Sequence, residues 1–159
     1  PFFKKIIESN LSYIPITDSE MTRFWITLDE SVNFVINCFE LSKGGEIFVP
    51  KIPSIKITDL AKAMAPNLRQ EIIGIRPGEK IHEVMCPKDD SHLTFSFKKY
   101  FVIAPAIQFY NRPNNFFDNM KLEKADRVDK NFEYNSGNNP HFLTIDEIRL
   151  LNKKNNLFP

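Results

Sequence analysis

An α/β lobe, with α+β as its near alternative, is the fold this sequence predicts. Short runs of β-branched and aromatic residues alternate with amphipathic helical stretches. Two capping boxes, Thr27-Leu28-Asp29-Glu30 and Thr144-Ile145-Asp146-Glu147, mark helix starts. Breakers at Pro15, Gly44-Gly45, Pro50 and Pro66 separate the runs.

The elements follow in order. Residues 1–10 read as the end of a helix, with Phe2, Phe3, Ile6 and Ile7 on one side. Ile14-Pro15-Ile16-Thr17 reads as a short edge segment because proline cannot donate to a ladder. A turn over 18–21 leads to an aromatic, β-branched strand, Thr22-Arg23-Phe24-Trp25-Ile26. Thr17-Asp18-Ser19-Glu20 has capping-box spacing but no apolar helix after it, so it is read as a decoy. The box at Thr27 opens a helix whose stripe Leu28, Val32, Val35, Ile36 and Phe39 is expected to face the core. Glu46-Ile47-Phe48-Val49 is a strand, and Ser54-Ile55-Lys56-Ile57 alternates polar with apolar. Thr58 is expected to cap a second helix with Leu60, Ala61, Met64 and Ala65 inward. Glu71 to Ile75 reads as a buried strand, followed by a short helix bearing Ile81, Val84 and Met85. A polar loop over 87–91 precedes two strands, 94–97 and 100–103, which could form a hairpin although no turn signature joins them. From Asn111 to Asn139 the chain reads as an irregular arm. The second capping box starts a last helix through Leu151, and 152–159 is expected to fray.

Composition excludes several functions. The 159 residues suffice for one domain with a core, and 42% apolar content is globular. A net charge of +1 provides no electrostatic attraction to nucleic acid or a membrane surface. The abundant Phe and Tyr therefore read as core and interface packing rather than base-stacking platforms. No apolar run is long enough to cross a bilayer. Cys38 and Cys86 are too few for a disulfide framework, which points to a reducing, cytoplasmic setting. The first residues, Pro1-Phe2-Phe3-Lys4-Lys5, are not a signal peptide, and the lack of an initiating methionine hints at a chain cut from something longer.

Ile75-Arg76-Pro77-Gly78-Glu79-Lys80 is the stretch with chemical promise. Read as a strand-to-helix junction with Pro77 at the first helical position, it offers free N–H groups and a positive dipole end to an anion. Arg76 adds a planar fork for phosphate. Glu79 can accept from hydroxyls, as the ribose-binding acid of a dinucleotide site does. The plainer reading is a surface turn. No glycine-rich dinucleotide or triphosphate motif and no Tyr-x-x-x-Lys pair occurs. His82, Glu83 and Cys86 resemble part of a zinc motif but lack further ligands, so a structural histidine is the better reading.

Four blocks in order resemble the C-terminal part of the inverting UDP-N-acetylglucosamine 4,6-dehydratases. They are Met21 to Ile26, Gly44 to Pro53, Lys56 to Ala61 and Gly74 to Glu83. That group lies in the extended short-chain dehydrogenase/reductase superfamily, among the CapD-like polysaccharide-biosynthesis proteins. The resemblance implies a C-terminal substrate-binding lobe lacking most of the N-terminal Rossmann domain. It divides the chain into a UDP-sugar lobe, 1–105, and a C-terminal arm, 106–159. It implies an NADP-dependent dehydration in which hydride leaves C4, water leaves across C5–C6 and hydride returns to C6 with inversion at C5. The product would be a 4-keto-6-deoxy UDP-sugar on the way to pseudaminic acid or related surface glycans. The family's catalytic residues and most of its NADP contacts lie before the position matching Pro1, so no catalytic residue is expected here and the chain alone is expected to be inactive. Carried over by motif, Thr17, Arg23, Arg76 and Glu79 are the expected UDP-N-acetylglucosamine contacts. No metal, nucleic acid or membrane is expected, and the intact protein is expected to be a homo-oligomer. Two alternatives are a non-catalytic interaction module on the same fold and a UDP-sugar epimerase of the same superfamily.

Overall fold

The computed structural model describes residues 2–9, 12–107 and 115–155, without the side chains of Phe2 and Glu8. The expectations for Pro1, for Asn10, for the start of the arm at 111–114 and for the fraying end at 156–159 lie outside them. The architecture is mixed α/β and divides into two compact units, each assembled from separate stretches of chain.

The first unit comprises Pro1–Trp25, Pro53–Glu83 and Ser136–Pro159. Its elements are α1 (Phe2–Glu8), β1 (Tyr13–Ile16), β2 (Thr22–Phe24), then β4 (Ser54–Lys56), α3 (Ile57–Met64), β5 (Arg69–Ile72) and α4 (Ile145–Lys154). β1 pairs in parallel with β5, and β2 pairs antiparallel with β4. Period-2 alternation does the sorting. Ile14, Ile16 and Ile55 are fully buried and meet Leu60 and Ala61 of α3 and Ile148 of α4 in one core. The capping box at Thr144 forms: its hydroxyl accepts from the Glu147 N–H, and the Glu147 carboxylate accepts from the Thr144 N–H at 2.8 Å.

The second unit comprises Ile26–Ile52 and Val84–Asn135. It holds α2 (Leu28–Leu41), β3 (Ile47–Pro50), β6 (Val84–Cys86), a 3-10 turn (Lys88–Leu93), β7 (Thr94–Ser96), β8 (Tyr100–Ile103), β9 (Asp126–Arg127) and β10 (Tyr134–Asn135). The sheet order is β3-β8-β7-β9, antiparallel throughout. β7 and β8 form the hairpin, closed by the Phe97 N–H donating to Tyr100 O, with those two rings stacked 4.7 Å apart. Phe95, Phe97, Tyr100 and Val102 centre the core with Leu41 and Phe116.

Several expectations are overturned. The stripe on α2 does not face a core: Leu28, Val32, Val35, Ile36 and Phe39 are all exposed, and Phe34 and Leu41 pack inward instead. Helical periodicity reports that one face is apolar, not what covers it. The second helix begins at Ile57, one residue before Thr58, and its N-cap Lys56 supplies no side-chain bond. β5 ends at Ile72 and is not buried; Ile72, Ile73 and Ile75 stand exposed. No helix follows Pro77: residues 77–78 form a turn, and Val84 and Met85 belong to β6. The loop expected over 87–91 is largely a 3-10 turn.

Candidate functional site

The first unit contains a cavity of about 390 Å³, within the size range of small-molecule sites, roughly 300–1,000 Å³. Three local patterns build its wall. Met21, Arg23 and Trp25 alternate along β2 and its flanks, so the three side chains share one face. Pro15 and Thr17 do the same along β1, opposite the core residues Ile14 and Ile16. Ile57, Leu60 and Met64 recur at helical spacing on α3. Ile73, Arg76 and Glu79 come from the chain after β5, and Phe3 from α1. All four residues singled out from the sequence, Thr17, Arg23, Arg76 and Glu79, thus line one cavity.

The Arg76-to-Glu79 stretch is a β-turn. Glu79 N–H donates to Arg76 O at 3.0 Å, and Gly78 has φ +80°. Proline second and a positive-φ glycine third is the signature of a type II turn. That φ lies outside the helical region, which is why no helix propagates and why a helix dipole contributes nothing to anion binding here. The turn nevertheless brings its first and fourth residues side by side. The Glu79 carboxylate accepts from the Arg76 N–H and from the Thr17 hydroxyl, both at 3.3 Å. It therefore holds the turn against β1 as well as facing the cavity.

The two guanidinium groups differ. Arg76 is exposed, and its guanidinium has no partner among the described residues. Arg23 is half-buried and held by its own unit: Nη1 donates to Thr22 O at 2.6 Å and Ile81 O at 3.1 Å, and Nε lies 3.8 Å from Glu83 Oε1. Nη2 has no acceptor among the described residues. Two cations with unspent donors, a carboxylate and a hydroxyl at the edge of an apolar hollow can bind a ligand with an anionic part, hydroxyls and a flat ring.

Sequence reasoning missed Trp25 as part of this wall. The signal was present: Trp25 stands two residues after Arg23 in an extended run, so a cavity reached by one is reached by the other.

The sequence profile of the polysaccharide biosynthesis proteins matches residues 1–105. The chain belongs to the polysaccharide biosynthesis protein family. Among this family member's relatives, the UDP-N-acetylglucosamine 4,6-dehydratase (inverting) of Campylobacter jejuni subsp. jejuni serotype O:2 is 53% identical over 148 residues, which are 93% of this chain and 44% of the relative. The protein of the same name from serotype O:23/36 is 51% identical over the same shares. The X-ray structure of Pen from Bacillus thuringiensis matches with a TM-score of 0.76 and 29% identity, over 99% of this chain and 46% of that one. The chain thus spans somewhat less than half the length of these relatives.

The described residues build no glycine cradle for the pyrophosphate of a dinucleotide. The positive-φ glycines are Gly44, Gly45, Gly74 and Gly78. None stands between a strand and the first turn of a helix, where a pyrophosphate cradle is built. Nor do the described residues contain a His, Cys, Asp or Glu cluster able to hold a metal ion. His82 is bonded instead to Thr22 Oγ1 at 2.8 Å, and Cys86 is buried in β6, where burial and then Asp90 push its thiol up to about 12. No helix among the described residues is long and apolar enough to cross a membrane.

Proposed function

We propose that this chain is the UDP-sugar-binding portion of an NADP-dependent, C5-inverting UDP-N-acetylglucosamine 4,6-dehydratase, acting in nucleotide-sugar and surface-polysaccharide or pseudaminic acid biosynthesis. In this reading it is the C-terminal lobe of an extended short-chain dehydrogenase/reductase. Residues 1–105 form the lobe and 106–159 the arm, whose Leu143 and Ile148 complete the core beneath the cavity. The observation that carries the reading is the meeting of Thr17, Arg23, Arg76 and Glu79 on one cavity, in a chain 53% identical to a protein of that name.

The roles follow from the chemistry of each group. Arg76 and the Nη2 side of Arg23 take the diphosphate, Arg76 as a bidentate fork. Glu79 and Thr17 accept from sugar or ribose hydroxyls. Trp25 and Met64 supply an apolar floor for a ring face. These residues bind and orient; the acid, base and NADP contacts belong to the rest of the intact protein, which is cytoplasmic and homo-oligomeric in this reading.

Calorimetry with UDP-N-acetylglucosamine on the full-length protein carrying this chain tests the assignment. A charge-assisted bond is worth about 1.5–3 kcal/mol, so Arg76→Ala is expected to weaken binding on the order of ten- to a hundredfold. An unchanged Kd removes Arg76 from the site.

A further inference from the structure

We propose that Glu83, outside the cavity wall, is a positioning residue that sets the guanidinium of Arg23. The inference rests on the reading that Arg23 contacts the UDP-sugar. An arginine on a strand has several rotamers, and ordering it on ligand binding costs entropy unless the protein has already done so. Here the guanidinium is held on two of its three sides. Thr22 O and Ile81 O take Nη1, and the Glu83 carboxylate faces Nε at 3.8 Å. The side left over is Nη2.

Glu83 can do this because it is itself fixed. Its Oε2 accepts from the Phe24 N–H at 2.8 Å, so the carboxylate spans the backbone on the far side of Arg23. Its main chain is clamped by Ser136: Glu83 N–H donates to Ser136 Oγ at 2.9 Å, and Ser136 N–H donates to Glu83 O at 2.8 Å. Ser136 is fully buried and bonds Thr22 Oγ1 at 2.7 Å, and Thr22 in turn bonds His82. A Cβ on Gly137 would lie 2.6 Å from His82 Nδ1, so a side chain there would push the His82 ring from this position. Three distant stretches are thereby tied at the arginine: β2, the chain after the Arg76 turn, and the arm.

A double-mutant cycle in the full-length protein tests the assignment, with UDP-N-acetylglucosamine Kd from calorimetry and Tm measured beside it. Glu83→Ala is expected to weaken binding about five- to tenfold, and Glu83→Gln, whose amide oxygen still accepts from Phe24, about two- to threefold. In an Arg23→Ala background both losses are expected to vanish, because nothing remains to be positioned. Equal losses in both backgrounds overturn the proposal and make Glu83 a general structural residue. If Glu83→Ala does not fold, the Glu83→Gln pair decides by the same criterion. If Arg23→Ala alone leaves Kd unchanged, the site reading fails and this inference falls with it.

Discussion

α2 and α4 open with the same chemistry and end in opposite surroundings. Each starts with a Thr-x-x-Glu box in which the hydroxyl and the carboxylate satisfy each other's backbone N–H groups. Each presents an apolar stripe. On α4 the stripe is covered, and Ile148 is 0% exposed in the core that α4 shares with α3 and β1. On α2 the stripe is bare, with Leu28 77% and Phe39 80% exposed, and the face that packs inward carries Phe34 and Leu41. A cap is a contract between residues three apart and is honoured wherever the helix lies. Burial depends on what the rest of the chain delivers.

Three experiments sharpen or break this contrast, the largest effect first. Ile148→Ala is expected to destabilise the first unit by about 2–5 kcal/mol, through lost burial and a residual cavity. Val35→Ala on the bare stripe is expected to cost no more than about 0.5 kcal/mol, because little burial is lost and alanine is the better helix former. Urea unfolding of the 159-residue chain measures both, and comparable losses would mean that the α2 stripe is covered in solution. Thr144→Ala and Thr27→Ala come next. Each removes a cap worth about 1 kcal/mol, and the two are expected to match despite the difference in burial.

The smallest effect is a pH dependence carried by the α4 box. Bonds from the Thr144 backbone, then its hydroxyl, hold the Glu147 carboxyl below its usual 4.5. In that window the unfolded chain binds more protons than the folded one. The stabilisation is therefore present above the ordinary value and is lost as pH falls through the lowered one. Glu147→Gln is expected to flatten that part of a pH–stability profile; an unchanged acid slope would show that Glu147 does not contribute.

The cavity was partly legible in the sequence for a related reason. Arg23 and Thr17 could be named from resemblance, and Trp25 could have been, because strand alternation carries from one residue to the next but one. The helix expected after Pro77 was not correct. Proline suits both a first helical turn and the second position of a β-turn, and Gly78 at φ +80° decides for the latter. Glu83 was invisible as a neighbour of Arg23, since 60 positions separate them and only the folded chain brings the carboxylate to Nε. Ser136 is further still, and nothing in its local sequence marks it as the buried hydroxyl that clamps Glu83.

The chain's own sequence determined the capped starts of α2 and α4 and the alternation that sorts Ile14 and Ile16 from Pro15 and Thr17, because those depend on dihedrals and hydrogen bonds between near neighbours. Tertiary structure alone decided which apolar stripe is covered, which carboxylate faces which guanidinium and that four scattered residues share a cavity. Those outcomes require segments far apart in the chain to meet, and local preference is the same whether or not they do.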